Sequence, residues 1–434
     1  MRIDRLTISN FKGFAQREFA LHPEFNLVVG ENGSGKTSIL EAMSVAVGSW
    51  FLGLRGYDTR HIRPDDVRLV GFETSDVVRW EQQFPCVVEA TGVVREQALT
   101  WRRTLNSADG RTTYGDAREV KQLGSEADNA VRKGAEITLP LISYYSTGRL
   151  WNIPREHARV KGSKQIKTRA ALSRLEAYRN SVDPRLSVSD LVEWIARESW
   201  RAFQKQGEHS PTFRVAREAL VRSVMGAQDV YFDAEYGEVV VRFRDGSRQP
   251  FNNLSDGQRS MLAFVGDLAR KAAALNPHLG QNALVETPGI VLIDELDLHL
   301  HPTWQRRVIE DLRTTFPALQ FVCTTHSPFL IQSLRSGEEL LMLGGQPSAH
   351  LANMPLDEIA HGIQGVEQPE VSAQYLEMRS VARNYLETLD EAADAPAQKL
   401  ERYRERLAEA IGPYAHNPAF QAFLEMKRAA KLGE

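Results

Sequence analysis

The stretch Phe25-Asn26-Leu27-Val28-Val29-Gly30-Glu31-Asn32-Gly33-Ser34-Gly35-Lys36-Thr37-Ser38 decides how the rest of the chain is read. Its first five residues suit a short apolar strand. The glycines then turn the chain, and Ser38 to Val47 follows with Ile39, Leu40, Met43 and Val47 at helical spacing. Strand, glycine-rich turn and helix in that order are the context a phosphate-binding loop requires. Gly30, Gly33 and Gly35 let backbone N–H groups face phosphate oxygens, with Glu31, Asn32, Ser34 and Ser38 completing the loop. The helix adds its positive end at the same point. Lys36 is expected to reach the β- and γ-phosphates of a nucleotide, and the Thr37 hydroxyl to ligate Mg²⁺.

Three further blocks complete the pattern. Gly289-Ile290-Val291-Leu292-Ile293 reads as a buried parallel strand ending in Asp294-Glu295. The carboxyl ends of such strands are where open α/β sheets bind ligands. Asp294 is placed to hold Mg²⁺ and Glu295 to polarise an attacking water. Two adjacent acids are costly to leave unpaired, and a cation resolves that cost. Upstream, Leu254-Ser255-Asp256-Gly257-Gln258-Arg259-Ser260 precedes a helix that Ser255 can cap and whose Gly257 allows close backbone approach. Downstream, Phe321-Val322-Cys323-Thr324-Thr325 reads as a strand delivering His326.

Outward from these blocks, Ile3, Leu6, Ile8 and Phe11 lie on an alternating segment with Gln16 to Leu21 as its return strand. Phe84 to Leu105 reads as a hairpin broken at Thr91-Gly92. Leu139 to Tyr145 is a buried strand, residues 150–228 are helical in pattern, and two strands precede the turn at Asp245-Gly246. Beyond residue 370 the chain reads as helices, with breaks at Ala395-Pro396 and Gly412-Pro413. Amphipathic spacing places one helix on Tyr375 to Leu389, a second on Leu400 to Ile411 and a third from Asn417 onward.

Composition bounds the class. The 434 residues carry 53 basic and 56 acidic side chains, a net charge of −3, so any nucleic-acid site must be a local patch. One candidate is Arg149–Arg179, a basic stretch whose only acids are Glu156 and Glu176; phosphate contact with DNA or RNA explains it no better than a solvated face or an acidic partner surface. Cys86 and Cys323 stand far apart, which excludes a disulfide scaffold and fits a reducing cytoplasm. No apolar run approaches the ~18 residues of a membrane span, so a cytoplasmic protein without membrane contact is expected.

The order of motifs resembles an ABC-type ATPase of the SMC, RecF and OLD-like group. The matching features are Asn10-Phe11-Lys12-Gly13-Phe14, the phosphate loop, Leu-Ser-x-Gly-Gln at 254–258, Asp294-Glu295 and His326. Asp256 stands where transporters of that class usually carry glycine. The resemblance implies an α/β fold: an ABC-type head, with a mixed sheet, flanking helices and an antiparallel β subdomain, joined to a helical insert and a helical tail. It implies two heads sandwiching two ATP molecules, with Ser255, Gly257 and Gln258 acting on the ATP of the partner head. Asp297 to His301 would form the loop between the sites, His326 would contact the γ-phosphate, and Lys12 would lie near the phosphates.

The whole chain is similar to the ATPase subunit of the Septu anti-phage defence system and its retron-associated relatives. This likeness rests on Leu139-Pro-Leu-Ile-Ser-Tyr-Tyr-Ser-Thr-Gly-Arg-Leu-Trp151, the signature block, and Asn417-Pro418 with Phe423-Leu424-Glu425-Met426. It implies a separate HNH endonuclease as partner. The residues after His326 read as mostly helical, without a Glu and Asp-x-Asp pair and with His350, His361 and His416 scattered, so no nuclease centre is expected in this chain. The expected organisation is a head split into 1–148 and 229–355, a basic helical insert at 149–228, and a tail at 356–434 as a candidate docking element. Two other readings stand beside a defence ATPase: a RecF-like clamp on DNA, and a scaffold that holds ATP with negligible turnover.

Overall fold

A computed structural model describes residues 1–74, 77–147, 173–182, 188–344, 354–364, 373–393 and 418–432. The chain opens with β1 (Arg2–Phe11), β2 (Phe14–Ala20) and β3 (Phe25–Val29), then α1 (Lys36–Val47). There follow β4 (Leu69–Thr74), β5 (Val77–Gln82), β6 (Cys86–Val94), β7 (Gln97–Leu105), α2 (Arg118–Arg132) and β8 (Leu141–Tyr145). Next come α3 (Val188–Gln204), α4 (Pro211–Ser223), β9 (Ala227–Asp233), β10 (Glu238–Phe243), β11 (Arg248–Pro250) and α5 (Asp256–Leu275). The second half of the core supplies α6 (Ala283–Glu286), β12 (Gly289–Ile293), α7 (Pro302–Thr315), β13 (Leu319–Thr324), α8 (Pro328–Gln332), β14 (Leu340–Met342) and α9 (Leu356–Gly362). Last are α10 (Ala373–Ala393) and α11 (Pro418–Leu432).

The core is a five-stranded sheet in the order β14-β3-β13-β12-β8, parallel throughout. Phe25 to Val29 and Gly289 to Ile293 are buried at every position, the pattern of strands covered on both faces. This order sets the phosphate loop strand beside β13, and β13 beside the strand that ends in Asp294-Glu295. Antiparallel pairing is confined to separate sheets, β2-β1-β6-β7, β11-β10-β9 and β4-β5. The α/β fold class holds, with the refinement that the central sheet is parallel rather than mixed. No helix among the described residues is long and apolar enough to cross a membrane.

One local expectation changes, and one hairpin was not expected. Thr91-Gly92 does not interrupt the hairpin; both lie inside β6, and the turn falls at Arg95-Glu96, each in the left-handed region. Gly92 sits in the strand because a Cβ there would come within 2.1 Å of the Arg2 carbonyl oxygen, next to the irregularity in the β1–β6 register. The β4–β5 hairpin carries no sequence signal that singled it out. Its Leu69, Phe72, Val78 and Trp80 are exposed, so the half-buried alternation that marks a strand is lost there.

The structure divides into two units, Met1–Gly365 and Val366–Glu434. The first holds the whole sheet system and its core. In the second, Tyr385, Leu389 and Leu424 are buried together between α10 and α11, and Lys431 pairs with Asp390. Most of the basic stretch Arg149–Arg179, residues 149–172, lies outside the described residues, as does the expected second tail helix from Leu400 to Ile411.

Candidate functional site

The site is built where β3, β13 and β12 end side by side. The loop after β3 begins at Gly30 and delivers Lys36 and Thr37 as the first residues of α1. Gly35 takes φ +99°, and its missing Cβ leaves room for the Phe14 ring, whose Cζ would lie 2.7 Å from a Cβ at that point. Both demands select glycine. Lys36 is buried, at 8% exposed, and its Nζ donates to the carbonyls of Gly30 (2.8 Å) and Glu31 (2.9 Å) across the mouth of the loop. Burial draws its ammonium below the ordinary lysine range, against the opposing pull of Asp294, Glu295 and Asp297. Ser34 Oγ is buried in the same loop with no hydrogen-bond partner. A donor cradle with one orphaned hydroxyl and a lysine folded over carbonyls fits an oxyanion such as phosphate.

Asp294 is the centre of the polar network and is 4% exposed. Thr37 Oγ1 donates to its carboxylate, at 3.2 Å from Oδ1 and 3.0 Å from Oδ2. Thr324 Oγ1 donates to Oδ1 at 2.6 Å. Thr37 and Asp294 together form an all-oxygen donor set, the chemistry that suits Mg²⁺. Tyr144, buried beside them on β8, has its phenol pushed above the usual range by burial, then by Asp294 and Glu41. Glu295 follows with φ 49°, a left-handed residue without the freedom of glycine. Such a conformation costs about 1–3 kcal/mol and persists where the surroundings fix it. Here its N–H donates to Thr324 Oγ1 at 2.7 Å, and Leu296 N–H donates to the Thr324 carbonyl at 2.9 Å.

The third strand end brings in Asp297 and His326. Thr325 Oγ1 donates to Asp297 Oδ1 at 2.5 Å, and the His326 N–H donates to the same oxygen at 3.4 Å. The His326 side chain is exposed, its carbonyl accepting from Gln364 Nε2 at 2.7 Å. Ser327 caps α8 and donates to Gln305 Oε1 on α7 at 2.6 Å. The ends of β12 and β13 are thus cross-linked by side chains.

The signature residues lie at the start of α5. Ser255 Oγ accepts from Gln258 N–H at 3.3 Å while Gln258 Oε1 accepts from Ser255 N–H at 3.1 Å, a reciprocal cap. Gly257 packs on the loop after Asp297, since a Cβ there would come within 2.5 Å of the His299 carbonyl. Lys12 holds Glu41 of α1 at 2.9 Å and Asp66 at 3.7 Å. Sequence reasoning singled out the residues of each motif but not Thr324, Tyr144 or Gln364. Only the registers of β12 with β8 and β13 reveal the first two, and only the folded position of α9 reveals the third.

Comparison with known proteins follows the same lines. A family model described as "AAA domain, putative AbiEii toxin, Type IV TA system" matches residues 25–332. The chain is similar to the retron Vc95 probable ATPase of Vibrio cholerae serotype O1 biovar El Tor, 24% identical over 77% of this chain and 72% of that one. It is also similar to the retron Ec83 probable ATPase of Escherichia coli, 24% identical over 80% of this chain and 72% of that one. A third relative, the Septu protein PtuA of Bacillus mycoides, is 25% identical over 79% of this chain and 40% of its own length.

Proposed function

The chain belongs to this AAA-domain family, and from that premise we propose that it is the ATP-hydrolysing subunit of a Septu- or retron-type anti-phage complex. The observation that carries the reading is the contact of Thr37 with Asp294 beside the buried Lys36 ammonium. On ATP, Lys36 exchanges its two loop carbonyls for β- and γ-phosphate oxygens. Thr37 and Asp294 would hold Mg²⁺, which would supply positive charge to offset that of the phosphates. Glu295 accepts a proton from the attacking water as the water oxygen bonds to the γ-phosphorus. The bond from that phosphorus to the β–γ bridging oxygen breaks, leaving ADP and inorganic phosphate.

His326 and Asp297 sense the γ-phosphate on this reading, and a second copy presents Ser255, Gly257 and Gln258 to it. The head comprises 1–148 and 229–355, interrupted by the insert 149–228 and followed by the tail 356–434. A separate HNH endonuclease is the partner, under control of the nucleotide state. The Gln364 bond to the His326 carbonyl supports that control, because it ties the root of the tail to the γ-phosphate sensor.

The test is purification of tagged wild-type and Glu295→Gln protein from the native operon, with ATP and Mg²⁺, followed by mass spectrometry and phosphate release. A small nuclease in fixed ratio, with release only from wild type, is the expected result. A homodimer carrying DNA and no nuclease contradicts the defence reading and favours a clamp.

A further inference from the structure

We infer that Thr324 is a positioning residue for hydrolysis, one that fixes the Asp294 carboxylate relative to the backbone that carries Glu295; the inference rests on the ATPase reading above. β12 and β13 run parallel with Ile293 opposite Cys323, so Asp294, just past the end of β12, stands beside Thr324, the last residue of β13, which is still paired with Val28 of β3. Thr324 is completely buried, so no water can replace its partners without rearrangement.

Its hydroxyl has one proton. A backbone N–H can only donate, so the contact with Glu295 N–H makes Thr324 Oγ1 the acceptor there and leaves the proton for Asp294 Oδ1. The chain therefore has a single direction, from the Glu295 N–H through Thr324 to the Asp294 carboxylate. Bonds aligned in this way strengthen one another in a site of low dielectric.

Two consequences follow. The Asp294 oxygen that faces Thr324 is fixed, which sets the orientation of the carboxylate toward the Thr37 hydroxyl. Glu295 is held in its left-handed conformation from both sides of the peptide chain, by the Thr324 side chain and, through Leu296, by the Thr324 carbonyl. One threonine thus orients the metal-holding acid and anchors the backbone that carries the proton acceptor. A residue that orients a ligand in this manner typically contributes 10–100-fold in metal affinity or activity.

The experiment compares Thr324→Val, which keeps the shape and removes the hydroxyl, with Thr324→Ser, which keeps the hydroxyl. Thr324→Val is expected to lower kcat about 10–100-fold with KM for ATP near its wild-type value. The Mg²⁺ concentration needed to strengthen binding of a fluorescent ADP analogue, read without turnover, is expected to rise about 10-fold or more. Thr324→Ser should restore both. A valine variant with wild-type kcat and Mg²⁺ requirement overturns the role, and so does a serine variant as slow as valine.

Amide hydrogen exchange at Glu295 in the wild-type chain gives an independent reading should the valine variant not fold. Slow exchange there supports the anchor, and exchange as fast as in open loops overturns it. Absence of ATP turnover in the wild type would defeat the ATPase reading, while the exchange result would still decide the anchor.

Discussion

Lys36 shows how burial and charge meet in the loop. Its ammonium is buried against the loop carbonyls of Gly30 and Glu31, and three carboxylates lie close enough to offset part of the effect of burial. Replacing it with alanine removes the buried cation that phosphate would meet. Lys36→Ala is expected to cost about 2–5 kcal/mol of ATP affinity, the range for losing one partner of a buried charged contact. Equilibrium binding of a fluorescent ATP analogue checks this. Lys36, Thr37, Asp294 and Glu295 were legible in the sequence because each stands inside a contiguous motif with its strand or helix attached. Thr324 was not, since its role comes from standing next to Asp294 across two strands, and nothing in Cys323-Thr324-Thr325 encodes that neighbour.

At the scale of elements, the signature helix α5 is locked to the sheet by buried charge. Asp267 pairs with Lys271 at 2.8 Å and Arg270 at 2.7 Å, Tyr145 Oη of β8 donates to it at 2.6 Å, and Lys271 Nζ donates to Ser143 Oγ at 2.9 Å. Burial by itself would raise the Asp267 carboxyl, but Lys271 and Arg270 outweigh it and hold the group below the usual carboxylate range. Asp267→Ala strands the buried Lys271 and the partly buried Arg270 and is expected to destabilise the head by about 3–5 kcal/mol, read from denaturant unfolding.

The pH dependence has a definite sign. A carboxyl whose folded pKa is depressed contributes stability above its unfolded pKa and loses it as pH falls through the folded value. Wild type should therefore lose stability relative to Asp267→Asn on acidification below the ordinary carboxylate pKa, and a difference independent of pH would contradict the assignment. This network was not legible in advance either. The α5 sequence gives its apolar face, whereas the partners Tyr145 and Ser143 come from a strand more than a hundred residues earlier. The turn at Arg95-Glu96 escaped for another reason: it uses two left-handed residues without glycine, so no turn signal marks it, while Gly92 invites a break that close packing on β1 explains instead.

For the whole molecule, the head has a continuous core of its own, and the buried cluster of the second unit consists of Tyr385, Leu389 and Leu424. Ending the chain after Gly365 is therefore expected to leave head stability and ATP turnover in place while abolishing recovery of the nuclease partner. Thermal melting, phosphate release and co-purification check the three parts, and a nuclease still bound to the shortened chain would move the docking surface to the head. Whether Asp294 and Glu295 hydrolyse ATP held by Lys36 and Thr37 is decided by the nucleotide found on purified protein after incubation with ATP and Mg²⁺. Wild type should carry ADP and release phosphate, whereas Glu295→Gln should retain intact ATP; equal phosphate release from both would contradict the role of Glu295 and the account built on it.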